Sequence, residues 1–524
     1  MPTLNWIGKD KIINHHQEVP YKVLNHEYSF SENGKTNDAI ESGNLIINGD
    51  NLEALKSLLP QYEGKVNCIY IDPPYNTGNE SWVYNDNVNS PQIKKWLGKV
   101  VGKESEDLTR HDKWLCMMYP RLKLLHKLLA KDGVIFISIN FKYEHYHLRC
   151  ICNEIFGDSN YMGELTWEAT TQPINSGSAR FGLQQKVEPI IFFAKNKNTQ
   201  TGFLLKELDS GLNYPHQGKL GNCRFEIIEK SDAGAYERKS MKFSILGQLP
   251  RQGKRWQIGQ DTAIELEAKN RLEIVDGMVK KAIYPEDEID KRKFVPFWSH
   301  LPANEFGTAQ SGKDLLNEVM GKAIGFDTVK PPKLIEELIS HFDKNSIILD
   351  SFAGSGTTAH AVLNLNKQDG GNRKFILIEM ENYAETITAE RVKRVINGYA
   401  DKEPTGGSFD YYTLGEPLFD ENNNLNENVG IEKIREYVWF TETRIPYTIQ
   451  ELTSPFLGIY NDTSYYFIYE KDSLTTLDYD ALADYVQQKA ERYIIYADNC
   501  LLPEIFMREK NIEFKKIPRD ITRF

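Results

Sequence analysis

The feature that most constrains the fold is a regular alternation of short apolar strands and amphipathic helices, which begins at Asn44. Residues 44–49 (NLIING) predict a strand, the next segment places four leucines on one side of a helix, and 66–72 (VNCIYID) predict a second strand. A further helix stops at Gly133, and the apolar strand VIFISI follows it. This alternation predicts an α/β fold with a doubly wound, mostly parallel sheet and helices on its faces.

The alternation is interrupted once. Residues 197–297 mix Gly, Pro, basic and aromatic residues with short β-like pieces, and they predict an inserted domain. The sheet is therefore predicted in two parts, 41–196 and 298–400. Residues 1–40 are polar without sustained periodicity and predict an N-terminal arm. Clusters of Pro, Gly and Asn open the last segment, 401–524, which predicts a separate C-terminal domain of α/β or α+β type.

Charge is distributed unevenly along the chain. The formal net charge is −11, but residues 401–524 hold 13 Lys and Arg against 23 Asp and Glu, so the remainder is nearly neutral. Within that remainder, 238–260 carry six basic residues and no acidic residue, with Phe243 and Trp256 between them. Such a stretch fits either contact with a phosphate backbone or a solvated basic loop.

Composition also bears on the compartment. No stretch has the uninterrupted apolar length of a membrane span, and the first residues lack the apolar segment of a signal peptide. Six cysteines are scattered without C-x-x-C spacing, as expected for reduced thiols. We therefore expect a cytoplasmic protein with no membrane contact and no metal site.

The first candidate functional motif is the tetrapeptide Asp72-Pro73-Pro74-Tyr75, which follows an apolar strand at the position where open α/β sheets bind ligands. The prolines stiffen the loop and remove two N–H donors. Asp72 and the Pro73 carbonyl can then accept from an exocyclic amine while Tyr75 stacks on the ring, which fits a flipped-out adenine. Drawing the amine hydrogens toward tetrahedral geometry frees the nitrogen lone pair to attack a methyl sulfonium. A proline-stiffened turn with an ordinary packed tyrosine is the structural alternative.

The second candidate motif is a glycine-rich loop in SIILDSFAGSGTTA, residues 346–359. Gly354 and Gly356 allow a sharp turn close to a ligand, and Glu379 at the end of the next strand can accept from ribose hydroxyls. The pattern G-x-G-x-x-A with an acid about twenty residues further on also fits a dinucleotide fingerprint. An NAD-dependent oxidoreductase is therefore the alternative. A phosphate-binding P-loop fits worse, because Thr357 occupies the position of its lysine.

Three segments together resemble the β class of DNA amino-methyltransferases: IDPPYNTG, LLHKLLAKDGVIFISI and DSFAGSGTTAHAV. In that class the catalytic loop precedes the S-adenosylmethionine loop and the target-recognition region lies between them, as here. The segments WVYND and FDTVKPPKLIEELI extend the resemblance to the modification subunits of type III restriction-modification systems. The resemblance implies a Rossmann-like methyltransferase sheet with a circularly permuted motif order. It also implies N6 of adenine as the target, because N4-cytosine enzymes more often begin the tetrapeptide with Ser.

Carried over residue by residue, the resemblance assigns Asp72, Pro73 and Tyr75 to binding and activation of the adenine amine, and Pro74 to the shape of the loop. It implies S-adenosylmethionine as the methyl donor, with no metal required for methyl transfer. The residues implied at this cofactor are Asp50, Lys330, Asp350, Phe352, Gly354, Gly356, Thr357 and Glu379. Asp50 fits a helix N-cap equally well, and the Pro331 that follows Lys330 fits a plain helix start.

The resemblance also implies partners. Residues 197–297 would recognise double-stranded DNA, with contacts from Lys239, Arg251, Lys254 and Arg255. Trp167 either helps to hold the extruded base or is a core tryptophan.

A homodimer and a nuclease-translocase restriction subunit are implied as well, with the acidic C-terminal segment as a protein interface. A second alternative is a subunit that mainly recognises DNA and is inactive without its partner.

Overall fold

The computed structural model describes residues 3–76, 110–172, 183–198, 202–206, 213–233, 238–288, 294–326, 328–420, 422–448, 454–471 and 473–521. The chain divides into a large unit, Met1–Leu204 with Trp298–Phe524, and an inserted unit, Leu205–Phe297. The inserted unit lies within the predicted range 197–297. The WVYND segment of the sequence resemblance, residues 82–86, lies outside the described residues.

Strands and helices alternate through much of the large unit. In chain order, the strands of the described residues are β1 (Lys22–Ser31), β2 (Gly34–Thr36), β3 (Leu45–Asn48), β4 (Val66–Ile71), β5 (Leu129–Ser138), β6 (Tyr161–Glu168), β7 (Val187–Ala194), β8 (His216–Gly218), β9 (Gly221–Ile227), β10 (Glu229–Ser231), β11 (Lys254–Trp256), β12 (Leu272–Val275), β13 (Met278–Ile283), β14 (His300–Leu301), β15 (Ile347–Asp350), β16 (Lys374–Glu379), β17 (Ser408–Pro417), β18 (Phe456–Tyr460), β19 (Thr463–Phe467), β20 (Thr476–Leu477), β21 (Arg492–Ala497), β22 (Asn499–Cys500) and β23 (Ile512–Lys516). The helices are α1 (Lys9–Ile12), α2 (His15–Glu18), α3 (Asn51–Tyr62), α4 (Arg110–Leu128), α5 (His145–Phe156), α6 (Gln260–Ala268), α7 (Ala303–Phe306), α8 (Ala309–Met320), α9 (Pro332–Ile339), α10 (Thr357–Asp369), α11 (Glu390–Asn397), α12 (Ile431–Thr443), α13 (Tyr479–Tyr485) and α14 (Glu504–Glu509). None of these helices, within the described part of the chain, combines the length and apolar character needed to cross a membrane.

The large unit is built on an eleven-stranded sheet with the order β14-β6-β7-β5-β4-β15-β16-β3-β17-β1-β2. Its central strands, from β5 to β17, are all parallel neighbours. Antiparallel strands flank them, because β7 runs against β5 and β6 on one side and β1 runs against β17 on the other. The predicted doubly wound, mostly parallel α/β sheet is confirmed.

Strands β4 and β15 lie side by side although the whole insertion separates them in sequence. Cys68 pairs with Ile348, and Ile69 pairs with Leu349. From β4 the chain continues to β5 on one side, whereas from β15 it continues to β16 on the other. The carboxyl ends of β4 and β15 therefore flank a topological switch point, the position at which open α/β sheets bind ligands.

The core of the large unit explains the apolar runs of the sequence. Strands such as β4 and β16 are covered on both faces, so almost all their side chains are buried and their sequences are nearly continuously apolar. Helix α4 ends at Leu128, earlier than the predicted stop at Gly133. The reason is that Leu129 already pairs with Val66 of β4, so the chain is part of the sheet from that residue on.

The two ends of the chain differ from the prediction. Residues 1–40 are predicted as an arm, but β1 and β2 are the last two strands at one edge of the large sheet. Strand β17, at the start of the predicted C-terminal domain, pairs with both β1 and β3. These strands were not predicted because they contain polar residues at buried positions, which interrupt the apolar pattern of the sequence. Ser29 and Asp410, for example, are fully buried and bonded to each other.

Smaller sheets complete the fold. In the C-terminal segment β19, β21 and β23 run parallel, and β18 pairs antiparallel with β19, which gives a small α/β arrangement. The inserted unit contains an antiparallel sheet in the order β12-β13-β9-β8 and the separate antiparallel pair β10-β11. Trp256 of β11 is fully buried in a core of its own within this unit.

One buried carboxylate adds side-chain hydrogen bonds to the backbone pairing that joins the N-terminal strands to the sheet. Asp410 accepts hydrogen bonds from Ser29 Oγ at 2.5 Å, Ile40 N at 3.0 Å, Ser42 N at 2.9 Å and Ser42 Oγ at 2.8 Å. Burial by itself would raise the pKa of Asp410, but the hydrogen bonds from Ser29 and Ser42 outweigh it and lower that pKa. The ionised carboxylate is therefore the stable form in the folded protein.

We expect Asp410→Asn to lower the free energy of unfolding by about 1–3 kcal/mol, because it replaces one acceptor oxygen with an amide NH2 donor that faces groups that donate. Denaturant titrations should show this difference in full above about pH 4 and show it narrowing as the pH falls through the lowered pKa. Asp158→Asn is the control, since that side chain is mostly exposed, and it should change stability by no more than about 0.5 kcal/mol. Equal effects of the two substitutions would contradict this account.

Candidate active site

The catalytic candidate loop starts where β4 ends. Asp72 follows Ile71 directly, so the carboxyl end of a central parallel strand delivers the tetrapeptide to the switch point. The Pro74 carbonyl accepts a hydrogen bond from Trp114 Nε1 at 2.6 Å, which ties the loop to α4. The loop is thus fixed both by its prolines and by an indole N–H.

A buried lysine joins this loop to the second half of the large unit. Lys330 Nζ lies 2.7 Å from Asp72 Oδ2 and 2.9 Å from the Tyr75 hydroxyl oxygen. It also lies 5.2 Å from the centre of the Tyr75 ring. The family resemblance assigns Lys330 to the cofactor, whereas in the structure its ammonium contacts the catalytic loop. Its predicted cofactor contact remains untested.

Glu188 is a functional candidate that the sequence analysis missed. Its Oε2 lies 3.1 Å from the Tyr75 hydroxyl and 3.5 Å from Lys330 Nζ. The Tyr75 hydroxyl is also 2.8 Å from Asp72 Oδ1, so its single proton is shared between two carboxylates. Glu188 is the second residue of β7, and β7 runs antiparallel to β5, so its first residues meet the carboxyl ends of the parallel strands. An acid inside the apolar run VEPIIFFA was the available signal.

The electrostatics of this cluster are those of one cation between two carboxylates. Burial by itself would lower the pKa of Lys330, but Asp72 and Glu188 outweigh it and raise that pKa, so the ammonium stays charged. Burial raises the pKa of Glu188, and Lys330 opposes this shift. Burial also raises the pKa of Tyr75, which keeps the phenol protonated. Because each carboxylate oxygen has two lone pairs, Asp72 retains the capacity to accept from an incoming amine.

The glycine-rich loop lies at the end of the neighbouring strand. Gly354 and Gly356 have φ angles of +51° and +80°, in the left-handed region that glycine adopts readily. A side chain at Gly356 would also approach the Thr388 carbonyl oxygen to 3.1 Å. Glu379, at the end of β16, accepts from Gly354 N at 2.7 Å and so fixes the loop. Burial raises the pKa of Glu379 to about 7.

Asp350 ends β15 and organises the start of the same loop. Its carboxylate accepts from Phe352 N at 3.0 Å and from Thr358 Oγ1 at 2.5 Å. Burial raises its pKa to about 7. Thr357 is buried, and its hydroxyl accepts from Arg391 at 2.8 Å, so this side chain is held inside the protein. Phe352 is half-buried against the main core.

Asp50 has the helix-capping geometry that the sequence offered as the alternative. Its side chain accepts from Leu52 N at 2.8 Å at the start of α3. The adjacent Asn51 donates to the Ser351 carbonyl at 3.1 Å, so the cap lies next to the glycine-rich loop. Capping and contact with a cofactor are compatible, because Asp50 Oδ2 is 3.5 Å from Arg121 and remains partly exposed. The predicted contact with the cofactor adenine remains a prediction.

These residues fit S-adenosylmethionine. Ser351 is buried at the tip of β15, and its hydroxyl has no hydrogen-bond partner among the described residues, which leaves one polar group available to a ligand. Glu379 can accept from vicinal ribose hydroxyls through lone pairs not used by the backbone. The bare backbone at Gly354 and Gly356 permits a close approach. A bound S-adenosylmethionine would supply an electrophilic methyl sulfonium.

The sequence left two alternatives for Trp167, a contact with the extruded base or a core position, and the structure places it in the core. It is fully buried in β6, and its indole Nε1 donates to the Gly307 carbonyl at 2.9 Å. Lys330 Nζ lies 5.6 Å from the ring centre, so the ring forms part of the wall around that ammonium. A contact of Trp167 with an extruded base remains a prediction.

In the inserted unit, folding pairs some of the predicted DNA-binding cations with acids from outside the basic stretch. Arg251 Nε lies 2.6 Å from Glu229, and Arg255 Nε lies 3.6 Å from Asp232. Lys239 is exposed and Lys254 is half-buried, and neither has an ion pair among the described residues. The acids come from β10 and the turn after it, which the sequence window 238–260 does not include. DNA contact by these four residues remains a prediction.

The fold defines the class: an α/β protein with two loops at the switch point of a mostly parallel sheet, the position at which open α/β sheets bind ligands. Residues 66–390 match the family model N6_N4_Mtase, described as DNA methylase. Because this match covers more than half of the chain, the protein belongs to that family. It is an S-adenosylmethionine-dependent DNA methyltransferase, and the match favours this activity over an NAD-dependent oxidoreductase.

Two Mod subunits are similar to this chain over most of its length. The StyLTI Mod subunit of a type III restriction-modification enzyme from Salmonella typhimurium is 28% identical over an aligned length of 461 residues, and the alignment covers 80% of this chain and 68% of that protein. The EcoPI Mod subunit from Escherichia phage P1 is 31% identical over an aligned length of 427 residues, and the alignment covers 72% of this chain and 63% of that protein. The chain thus spans about two thirds of their lengths. The solved structure of the PvuII DNA methyltransferase (cytosine-N4-specific) is 14% identical and covers 67% of this chain and 86% of that one, with a TM-score of 0.34.

The Lys330 ammonium generates a testable pH dependence. In Lys330→Met, Glu188 loses the countercharge that opposes the upward shift of its pKa, so this carboxyl should hold a proton to higher pH. We expect much slower methyl transfer at neutral pH and an acidic limb of the pH–rate profile that moves upward by about 1–3 units. Activity should therefore recover in part as the pH rises.

Two variants control for other effects. Lys330→Arg keeps the charge and should keep the acidic limb near its original position. Lys333→Met removes an exposed lysine three residues along the same segment and should leave the profile unchanged. A Lys330→Met enzyme that is slower by the same factor at every pH would contradict the electrostatic role.

Proposed function

We propose that the protein transfers the methyl group of S-adenosylmethionine to N6 of a flipped-out adenine in double-stranded DNA. We further propose that it does so as the modification and recognition subunit of a type III restriction-modification system. The observation that carries the proposal is the parallel pairing of β4 and β15, which brings the starts of the Asp72–Tyr75 loop and the Gly354–Gly356 loop to the same edge of the sheet. One small crevice then serves both the base and the methyl donor.

Each residue of the catalytic loop has a separate task in this proposal. Asp72 and the Pro73 carbonyl accept the two amine hydrogens, which localises the nitrogen lone pair. Tyr75 covers the face of the base. The Pro74 carbonyl, which accepts the indole N–H of Trp114, keeps the loop in position. Lys330 supplies the countercharge for Asp72 and Glu188, and so keeps the site acceptor-rich when a neutral base enters.

The choice of adenine N6 rests on the first residue of the tetrapeptide and on the Mod relatives. An Asp at position 72 supplies a charged acceptor, whereas N4-cytosine enzymes more often have Ser there. The amine then needs no general base before attack, because its lone pair is the nucleophile. The proton leaves after the N–C bond has formed, and the carboxylates around Tyr75 are the nearest acceptors.

Recognition and assembly belong to the same proposal. The inserted unit would read the DNA sequence, with Lys239 and Lys254 as the cations available to phosphate. The proposal includes a homodimer, a nuclease-translocase partner and a cytoplasmic location, as the family resemblance implies, and the type III Mod relatives support the association with a restriction subunit. The alternative, a subunit that only recognises DNA, differs in one respect, since the isolated protein would then transfer no methyl group.

Asp72→Ala should abolish methyl transfer while cofactor binding and duplex binding persist, because it removes one of two acceptors for the amine. The assay expresses the wild-type or variant gene in a host without the modification. Base-modification sequencing and nucleoside mass spectrometry of the host DNA then identify the product. We expect N6-methyladenine at one sequence motif with wild type and none with Asp72→Ala. Asp158→Asn, at an exposed position, serves as the active control.

Two results would reject the assignment. N4-methylcytosine as the product would refute the adenine target, and full activity of Asp72→Ala would refute the proposed role of the carboxylate. If the isolated protein modifies DNA, the recognition-only alternative is excluded.

The basic residues of the inserted unit should differ in their effect on salt dependence. Each phosphate-contacting cation replaced by Ala should reduce the slope of log K against log salt concentration by about 1. We expect this for Lys239→Ala and Lys254→Ala, and a smaller change for Arg251→Ala, because Glu229 already neutralises that guanidinium. Fluorescence anisotropy with duplex DNA at several salt concentrations measures the slopes. Unchanged slopes in all three variants would mean that these residues do not contact phosphate and that the DNA-binding surface lies elsewhere.

A further inference from the structure

A second cluster of chemically active side chains lies behind the catalytic loop. His111 Nδ1 is 2.6 Å from Glu144 Oε1, and His147 Nδ1 is 2.7 Å from Glu144 Oε2. The three ligand atoms lie within 4.8 Å of one another. His111 comes from the first turn of α4, and the other two residues flank the start of α5.

Glu144 needs a positive charge next to it. Its side chain is fully buried, and no Lys or Arg of the described residues forms an ion pair with it. A buried carboxylate without a countercharge is costly, so either protonated imidazoles or a cation must compensate it. The two imidazoles are each about one third exposed, 39% and 35%, which leaves one side of the cluster open to an entering ion and its water ligands.

The ligand set selects the kind of cation. Two imidazole nitrogens and one carboxylate suit transition-metal dications such as Zn²⁺, whereas Mg²⁺ and Ca²⁺ prefer oxygen ligands alone. Both histidines present Nδ1 to the same carboxylate but to different oxygens, so small shifts let all three groups converge on one point.

The cluster also has the supporting hydrogen bond that ligating carboxylates commonly show. Asn76 Nδ2 donates to Glu144 Oε1 and, at 3.2 Å, to the Arg110 carbonyl. Asn76 is the residue directly after the catalytic tetrapeptide. It would orient the ligating carboxylate and, in return, be held by it.

The geometry points to a structural Zn²⁺ site formed by His111, Glu144 and His147. The bound ion neutralises Glu144, joins the start of α4 to the start of α5, and anchors the catalytic loop through Asn76. The ion takes no part in methyl transfer itself. The inference concerns binding and does not depend on which base the enzyme methylates.

Metal binding by the untagged full-length chain tests the site. After removal of metals with a chelator, the protein is titrated with Zn²⁺, and separately with Co²⁺, whose visible absorption bands report ligand number. We expect about one tightly bound equivalent of Zn²⁺ per chain and a Co²⁺ spectrum of a nitrogen- and oxygen-ligated site. X-ray absorption of the Zn²⁺ form should show imidazole nitrogens at about 2.0–2.1 Å.

A double variant separates metal binding from simple hydrogen bonding. In His111→Asn with His147→Asn, the amide nitrogens can still donate to Glu144, but the imidazole ligands are gone. We expect at least a tenfold loss of Zn²⁺ affinity and no gain in melting temperature on adding Zn²⁺. His216→Asn, at an exposed histidine of the inserted unit, should bind Zn²⁺ like wild type.

Several outcomes would overturn the inference. The first is that the wild-type protein binds no tight equivalent of Zn²⁺. The second is that the double variant binds Zn²⁺ with the same affinity as wild type. The third is an X-ray absorption spectrum of the Zn²⁺ form that shows no imidazole ligands. After any of these results, the cluster would be interpreted as hydrogen bonds between Glu144 and the two histidines, without a metal ion. If the double variant does not fold, the X-ray absorption spectrum of the wild-type Zn²⁺ form by itself tests whether the histidines bind the ion. The inactive Asp72→Ala variant should still bind Zn²⁺, so this inference and the proposed function can fail independently.

Discussion

Strands β4 and β15 pair in parallel near the middle of the sheet, and the rest of the active site is arranged around that pairing. Each strand ends in a loop that carries one half of the proposed chemistry. Asp72 comes from one loop and Gly354 from the other. Because the chain leaves these strands in opposite directions, a crevice opens between the loops. The inserted unit can therefore interrupt the sequence between the two strands while the sheet itself remains continuous.

Within that crevice, one ammonium holds together residues from distant parts of the chain. Lys330 contacts Asp72 and Tyr75 of the catalytic loop and Glu188 of an antiparallel strand. The arrangement is costly to build, since three charged groups leave water together, and its geometry must offset that desolvation. In the proposed function the site accepts both hydrogens of an amine, and the desolvation cost is useful there because the acceptors are fixed before the base arrives.

Polar residues in buried positions account for most of the differences between sequence and structure. The sequence pattern identified the apolar central strands, because unbroken runs of Val, Ile and Phe are typical of strands that are buried on both faces. It missed β1 as a strand of the sheet because Ser29 and Asp410 satisfy each other only after folding. It missed Glu188 because strand direction, which the residues do not encode locally, decides which end of a strand faces the site. It missed the ion pairs of Arg251 and Arg255 because their acids lie in another strand and the turn after it.

The sequence by itself determined the α/β class, the existence of two ligand loops, their order and the DNA methyltransferase family, because each depends on local patterns of residues. Tertiary structure alone decided which strands are neighbours, where Lys330 places its charge and how His111, Glu144 and His147 come together. Those are contacts between segments far apart in the chain. Burial and the direction of each strand create them, and neither is written in any single stretch of residues.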